Sequence, residues 1–537
     1  MVRVLRAAPG SANGAASMVA IRLSSTGGGY PRFVSFGPSE VLPFRKGALL
    51  EGWQLSALDG CRTPARSLPT MEDFSAEGRW WLPGHVEDAV PGSFSFQGGD
   101  AALPVYGPLS QPDDAQAPSP RPIQVVYRVV HGHTNAAEDI TLFSVHGVES
   151  SWWRTDTKTT FLAEGGASGR HLDADAFGAI AFELDYLPPW LNPPSLLNQE
   201  DFNALVVDLN PHVLAEVPLD GAELEIRTMM RGRWNPDVDL HQTTTIRVQL
   251  PQPLSYRDAL HRYVRPVEDL LALCLDRPVS LRRFVGSAPG DGDRDPAASI
   301  FFMNAGIEPA REPSLSDMVG MGSNTLLWAG DNPMSTSELL ARWFAGYEKL
   351  RPALVPLLGR HFAPFMYGEH ELISTVSAAE ALHKQLDTFE SKQVPKAEHH
   401  QRVEAVLDAA TAAGVDAAIL DWARRVLASK NEKPLKEVVG DLLDAAGEAG
   451  RAILDAEPDF CANIVSLRVP VAHGNAGSRR TLSQAQQHRH DQALRWVVRC
   501  LLVGELLDDH ADAQRRVLAK ESFKFAVRRL ADPEGTD

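Results

Sequence analysis

The sequence has few cysteines, no long hydrophobic run and no excess of positive charge. The four cysteines lie far apart and include no C-x-x-C pair: Cys61, Cys274, Cys461 and Cys500. This spacing excludes a disulfide framework and a zinc knuckle. It is typical of a reducing cytosol, so we expect a cytoplasmic protein. No stretch approaches the length of apolar sequence that crosses a bilayer, so we expect no membrane contact.

The negative charge limits the kinds of partner that the chain can bind. The formal net charge is -17, whereas proteins that coat long nucleic acids are basic, so any contact with nucleic acid must be local. The sequence also lacks a Walker loop and the motifs G-x-S-x-G, H-E-x-x-H and G-x-G-x-x-G. We therefore predict neither a cofactor nor a metal ion.

The first 70 residues differ in composition from the rest of the chain. Four arginines precede the first acidic residue, Glu40, and the segment is rich in Gly, Ser and Ala without a sustained period. We interpret 1–70 as a poorly ordered leader or an overextended start, with Met71 opening the folded protein. This segment should be dispensable.

Two patterns follow, and together they predict an α+β fold. Residues 71–334 are β-rich, with alternating segments such as 92–96, 139–143 and 222–227. Within this part, Tyr256 to Cys274 has the apolar stripe of one helix.

Residues 335–537 carry helical periodicity and predict an antiparallel bundle. Its first helix has the start signal Ser335-Thr336-Ser337-Glu338. Later helices are predicted over 371–391, 396–413, 417–429, 435–457, 460–472, 483–508 and 511–530.

An arginine and a histidine in the bundle have the chemistry for cleaving RNA without a metal. Arg468 and His473 stand five residues apart in the segment R-V-P-V-A-H-G. The imidazole can take or give a proton near neutral pH, and the guanidinium can hold a phosphate. Residues five apart on an ideal helix point about 140° from each other. They converge if the helix bends or ends near Pro470 and Gly474, or if a second chain completes the site.

The same spacing occurs elsewhere, so spacing alone does not choose the site. Arg128 and His133 repeat it in the β-rich part, and Arg79 and His85 are one residue further apart. Charge favours the bundle, because 468–500 contains six arginines and one acid, a net +5. Such a local field could receive a polyanion. The arginines that we predict to bind RNA are Arg479, Arg480 and Arg489.

Two separate parts of the chain resemble the ApeA family of bacterial abortive-infection proteins. The segment Gly78-Arg79-Trp80-Trp81-Leu82-Pro83-Gly84, followed by 91–94, 132–134 and 140–142, is similar to the family's N-terminal domain. Arg468 through Gly474 is similar to the R-x4-6-H signature of HEPN ribonuclease domains, and 374–386 resembles the first helix of such a domain. The family usually has a polar residue, often Asn, after the arginine; this chain has Val469.

The resemblance implies a HEPN homodimer that cleaves host RNA, such as tRNA, when a phage-derived trigger is sensed. His473 would be the general acid and base and Arg468 the phosphate clamp, with no metal and a 2′,3′-cyclic phosphate product. Two other hypotheses stay open. Val469 favours an inactive HEPN module that dimerises and binds RNA. Alternatively, the β-rich part binds a phage product and the bundle only dimerises.

Overall fold

The computed structural model describes two compact units. The described residues are 2–6, 18–23, 74–97, 100–109, 123–149, 158–201, 204–208, 210–233, 239–289, 298–302, 324–331, 334–363, 366–428, 430–473 and 483–531. The N-terminal unit comprises 1–271, 279–316 and 328–341, and the C-terminal unit comprises 272–278, 317–327 and 342–537.

Strands make up most of the described residues of the N-terminal unit, and the predicted α+β class is confirmed. They are β1 (Val2–Arg6), β2 (Met18–Leu23), β3 (Phe74–Trp81), β4 (Val90–Gln97), β5 (Asp100–Tyr106), β6 (Ile123–Thr134), β7 (Asp139–Glu149), β8 (Lys158–Ala163), β9 (Gly165–Ser168), β10 (Phe177–Leu184), β11 (Leu197–Asp201), β12 (Ala204–Asp208), β13 (His212–Leu219), β14 (Ala222–Arg233), β15 (Asp239–Leu254), β16 (Leu281–Ser287) and β17 (Ala298–Phe302).

Three short helices lie in the same part of the sequence. They are α1 (Leu187–Leu191), α2 (Tyr256–Ala259) and α3 (Arg265–Leu275). A π-helical turn at Leu260–Val264 joins α2 to α3, so the predicted helix from Tyr256 to Cys274 is confirmed with a local widening.

The strands form two sheets. One has the order β1-β2-β12-β11, and the larger has the order β13-β14-β15-β10-β16-β17-β9-β7-β6-β3-β4-β5-β8. Because β8 also pairs with β7, at His146 and Leu162, the six strands β7-β6-β3-β4-β5-β8 close into a ring. The buried side chains inside it include Trp80, Phe94, Leu103, Val130, Leu142 and Phe161.

The packing of Trp80 on β3 requires a glycine at position 132 of β6. Trp80 is buried and lies opposite Gly132 in the register of β3 and β6. A Cβ atom at position 132 would lie 2.2 Å from the indole ring. Glycine is therefore required where the ring crosses the neighbouring strand.

Two strands fall within the segment that the sequence predicts to be a leader. β1 pairs with β2, and β2 pairs with β12. The sequence pattern did not predict these strands. The other residues of 1–70 lie outside the described part of the chain, and the dispensability of the segment stays a prediction.

The C-terminal unit is helical. The helices are α4 (Thr336–Phe362), α5 (Gly368–Gln385), α6 (Lys396–Ala412), α7 (Ala417–Ala428), α8 (Leu435–Ala445), α9 (Gly447–Ala456), α10 (Phe460–His473), α11 (Gln484–Leu507), α12 (His510–Ala519) and α13 (Glu521–Ala531). Helix α4 begins in the N-terminal unit, and the helices after it lie wholly in the C-terminal unit. Among the described helices, none has the length and apolar composition of a membrane span.

Local signals account for some of these helix boundaries. The start predicted at Ser335 is confirmed, because its hydroxyl accepts from the Glu338 amide and the Glu338 carboxylate accepts from the Ser335 amide. The single helix predicted over 435–457 is wrong. The chain breaks at Gly447, whose φ of 56° lies in the left-handed region that glycine adopts readily. The helix predicted over 511–530 is also two helices, separated at Lys520, whose backbone is extended.

Candidate functional site

Helix α10 carries both residues of the predicted catalytic pair. Phe460, Ile464 and Leu467 recur at helical spacing and are buried. Phe460 also stacks on His490 of α11, with ring centroids 5.3 Å apart and planes 11° apart. These contacts fix the buried side of α10, and Arg468 follows directly after the last of them.

The helix continues through Pro470 and ends at His473. The helix therefore includes both residues of the pair, and Pro470 does not break it between them. Continuous helical backbone keeps the two residues about 140° apart around the axis. The side chain of His473 is outside the described part of the structure.

Glu380 of α5 holds the guanidinium of Arg468. Arg468 Nη2 donates to Glu380 Oε2 at 2.9 Å. The arginine side chain is 40% exposed and that of the glutamate 28%. A charge-assisted bond restricts the guanidinium to one orientation, and the exposure leaves it accessible to a phosphate.

Buried polar contacts anchor α5 on both sides of Glu380. Thr375 donates to the buried carboxylate of Asp491, which Arg495 also contacts. At the other end, His383 is 2.8 Å from the Asp441 carboxylate. Because these contacts hold α5 on both sides of Glu380, the glutamate is a fixed partner for Arg468.

Glu380 had no assigned role in the sequence prediction. It lies in 374–386, the segment that resembles the first helix of a HEPN domain, and the arginine is 88 residues away. A carboxylate between two alanines on a half-buried helix is the signal that could have identified it.

His490 packs against Phe460, the first residue of α10. Its Nδ1 donates to the Gln486 carbonyl at 2.8 Å, and its ring stacks on Phe460. Burial lowers the pKa of His490 below its ordinary value of 6.5, because the charged ring would lose hydration. The neutral form therefore supports the packing of α10 on α11.

The three predicted RNA-binding arginines fall into two groups. Arg479 and Arg480 lie outside the described residues. Arg489 is buried on α11 and donates to the Arg529 carbonyl at 3.2 Å, so in this arrangement it holds α13. Its contact with RNA stays a prediction.

The positive charge counted on α11 is largely internal. Arg495 is buried against Asp491, and Arg499 is buried 3.2 Å from Asp276. Arg499 also donates to the Leu273 carbonyl. The net +5 of the sequence segment is therefore not the charge of an exposed surface.

The competing pairs in the N-terminal unit have other partners. His133 is 2.7 Å from Asp139, and Arg128 is exposed five residues earlier on the same strand, β6. Residues five apart on a strand face opposite sides of the sheet. Arg79 donates to the Ala89 carbonyl at 2.7 Å. These contacts place neither arginine next to the histidine of its pair.

Among the described residues, two groups have three ligand atoms within 4.8 Å of one another, as a metal ion requires. One consists of His85, Glu87 and Asp88, and the other of Glu371, His488 and Asp491. Asp491 already accepts from Thr375 and contacts Arg495. A cation there would have to displace or face that guanidinium.

Two family models match the chain. Residues 75–319 match the ApeA N-terminal domain 1, and residues 373–507 match the Apea-like HEPN domain. The second match spans α5 and α10, which carry Glu380, Arg468 and His473. No curated protein and no solved structure matches the chain.

Proposed function

Because the chain belongs to the ApeA family, we propose that it is an antiphage endoribonuclease that cleaves host RNA at a metal-independent HEPN site. Its two matched domains are those of an antiphage defence protein with a HEPN nuclease-like module. HEPN domains generally bind RNA, often dimerise, and include many ribonucleases.

The observation that carries the proposal is the held guanidinium of Arg468. An arginine fixed by Glu380 and half exposed can grip a phosphodiester through its remaining N–H groups. It stands on the helix that ends at His473, the predicted acid and base. Arginine for charge and histidine for proton transfer are the two functions that RNA cleavage without a metal needs.

The chemical step uses a nucleophile that the RNA itself provides. Neutral His473 takes the proton of the 2′-hydroxyl, and the 2′-oxygen forms a bond to phosphorus. The bond from phosphorus to the 5′-oxygen breaks, and a protonated His473 gives that oxygen its proton. The products are a 2′,3′-cyclic phosphate and a 5′-hydroxyl. DNA lacks the 2′-hydroxyl and should not be cut.

A second copy of the chain can bring an arginine and a histidine together at one phosphate. Within one α10 the pair diverges by about 140°. Two α10 helices facing each other across a two-fold axis can place two arginines and two histidines around one phosphate. Two-fold dimers are the commonest closed assemblies. Arg479 and Arg480, which follow His473 closely, would contact RNA beside this composite site.

The proposal is tested with purified full-length protein, RNA, and DNA of the same sequence in buffer with a metal chelator. We expect RNA to be cut to cyclic-phosphate ends and DNA to stay intact. Loss of cleavage in the chelator, or cutting of the DNA, contradicts the mechanism. The same assay on tRNA and on other host RNAs identifies the substrate, which we propose to be tRNA, and a phage-derived trigger is proposed to raise the rate.

The alternative is an inactive HEPN module that dimerises and binds RNA, coupled to a phage-sensing N-terminal unit. Val469 favours it, because it stands where the family usually has a polar residue. In that case RNA binds at low salt and is not cut. An Arg479→Glu/Arg480→Glu double variant then loses RNA binding, whereas a bundle that only dimerises shows no RNA binding to lose.

A further inference from the structure

One face of the large sheet in the N-terminal unit collects four arginines from three strands. The strand register brings them together: Ala181 of β10 lies opposite Arg247 of β15 and Val285 of β16. In the next row, Glu183 lies opposite Arg283, and Arg227 of β14 lies opposite Thr245. Side chains of one row stand on the same face as those two residues further along each strand. Six polar side chains of this face line one cavity: Arg227, Arg231, Arg247, Arg283, Glu183 and Thr245.

These side chains surround a cavity of about 280 Å³. Its apolar lining comes from Ala181, Met229 and Val285. The opposite face of the same strands is packed with buried apolar residues such as Ile180 and Ile246. The arginine face is therefore not part of that hydrophobic core.

The cavity lining contains more arginines than carboxylates. Glu225 accepts from Arg227 through both oxygens, at 2.7 and 2.6 Å. Glu183 lies 3.2 Å from Arg283 and 3.5 Å from Arg231. The lining residues together with Glu225 carry four positive and two negative formal charges.

Burial makes this excess of charge costly. The exposure of the four arginines runs from 7% for Arg247 to 33% for Arg231. Guanidinium groups held out of water lose hydration, and their interaction with an anion strengthens as the local dielectric constant falls. An ion-pair network whose only role is to stabilise the sheet does not need a cavity lined by four arginines.

We propose that the arginine face of β10, β14, β15 and β16 binds a mononucleotide, such as a nucleoside diphosphate. The planar guanidinium fork matches phosphate oxygens in pairs. The volume of about 280 Å³ lies just below the range of about 300–1,000 Å³ for small-molecule sites, which favours a ligand of nucleotide size over a larger one. The apolar lining at Ala181, Met229 and Val285 can receive an uncharged ring. All the residues of this site lie in the N-terminal unit, whereas Arg468 and His473 lie in the C-terminal unit.

The test is isothermal titration calorimetry of the full-length protein with ADP and, separately, with adenosine. We expect saturable ADP binding with a Kd below about 1 mM and no saturable binding of adenosine. Arg231→Gln/Arg283→Gln should weaken ADP binding at least about tenfold, because each lost hydrogen bond to a charged group is worth about that factor or more. The single variant Arg231→Gln, at the most exposed of the four positions, should show a smaller loss in the same direction and guards against misfolding of the double variant.

Two control variants separate this site from general charge and from the HEPN site. Arg128→Gln removes an exposed arginine of β6, and Arg468→Gln removes the proposed phosphate clamp. Both should bind ADP as the wild type does. The proposal is overturned if the wild type binds no ADP, if adenosine binds equally well, or if the double variant, folded as judged by circular dichroism, keeps wild-type affinity. Loss of ADP binding in Arg468→Gln instead would also overturn it, by placing the nucleotide at the HEPN motif.

Discussion

Glu380 and Arg468 lie on neighbouring helices, and a 2.9 Å hydrogen bond joins the arginine Nη2 to the glutamate Oε2. The pair makes the guanidinium of Arg468 a directed group rather than a mobile surface charge.

Glu380→Gln should slow RNA cleavage about tenfold while changing the free energy of unfolding by less than about 1 kcal/mol, because a partly exposed ion pair contributes little to stability. The glutamate acts through the arginine. The double variant Glu380→Gln/Arg468→Gln should therefore be no slower than Arg468→Gln alone. Single-turnover cleavage rates of the three variants measure this.

The matched control is Glu398→Gln, which breaks the exposed pair between Glu398 and Arg402 on α6. It should leave the cleavage rate unchanged. If the rate losses of Glu380→Gln and Arg468→Gln multiply in the double variant, the two residues act independently and Glu380 does not position the arginine.

His473→Ala should abolish RNA cleavage and leave the free energy of unfolding within about 1 kcal/mol, because the proposal gives His473 a role in proton transfer and none in packing. Arg468→Lys should also be inactive, since an ammonium group cannot reproduce a paired grip on phosphate. Cleavage assays and thermal melts of the same preparations separate catalysis from folding.

The equally spaced pair of the N-terminal unit is the internal control. His133→Ala and Arg128→Lys should retain cleavage. Asp139 binds His133, and Arg128 lies on the opposite face of the same strand, so the two residues do not form one site. If His133→Ala abolishes activity while His473→Ala does not, the site has been placed in the wrong domain. Unfolding of His473→Ala would assign the histidine a structural role.

The chain should form a dimer, and its specific activity should fall when the protein is diluted below the dimer dissociation constant. This follows from the divergence of Arg468 and His473 on one continuous helix. Multi-angle light scattering and cleavage rates measured over the same concentration range test it. A monomer with full activity at micromolar concentration would contradict the composite site.

The stability of the C-terminal unit should decrease in mild acid through His490. Burial lowers its pKa in the folded state below 6.5, so the unfolded chain binds the proton more readily. The stabilisation by neutral His490 is present above pH 6.5 and is lost as the pH falls through the folded-state pKa of that residue. Chemical denaturation of the wild type and His490→Gln from pH 8 to pH 5 should show a stability difference that shrinks toward pH 5. His488→Gln, at an exposed position on the same helix, should keep the wild-type profile; a constant difference for His490→Gln would refute the assignment.

The sequence could predict the elements that carry the site, because each has a local signal. The period of Phe460, Ile464 and Leu467 marks α10, and Gly474 marks its end. Alternation marks strands such as β4 and β7. The break at Gly447 was missed, since an isolated glycine within a helical pattern is often tolerated.

Contacts between distant residues could not be read from these local patterns. Glu380 and Arg468 are 88 residues apart, and no periodicity states which faces of their helices meet. Arg499 counts as a surface charge in the sequence, but Asp276, more than two hundred residues away, pairs with it inside the C-terminal unit. The same holds for the arginine face of the large sheet, which exists only because the register aligns β10, β14, β15 and β16.

The most direct test of the proposed activity is sequencing of RNA ends that carry a 2′,3′-cyclic phosphate, in phage-infected cells with the wild-type protein or His473→Ala. The account predicts new cyclic-phosphate ends at defined positions of host RNA in the wild type and none in the variant at equal protein levels. The same ends in both, or new ends in neither, would contradict the assignment of His473 as the catalytic residue of a ribonuclease.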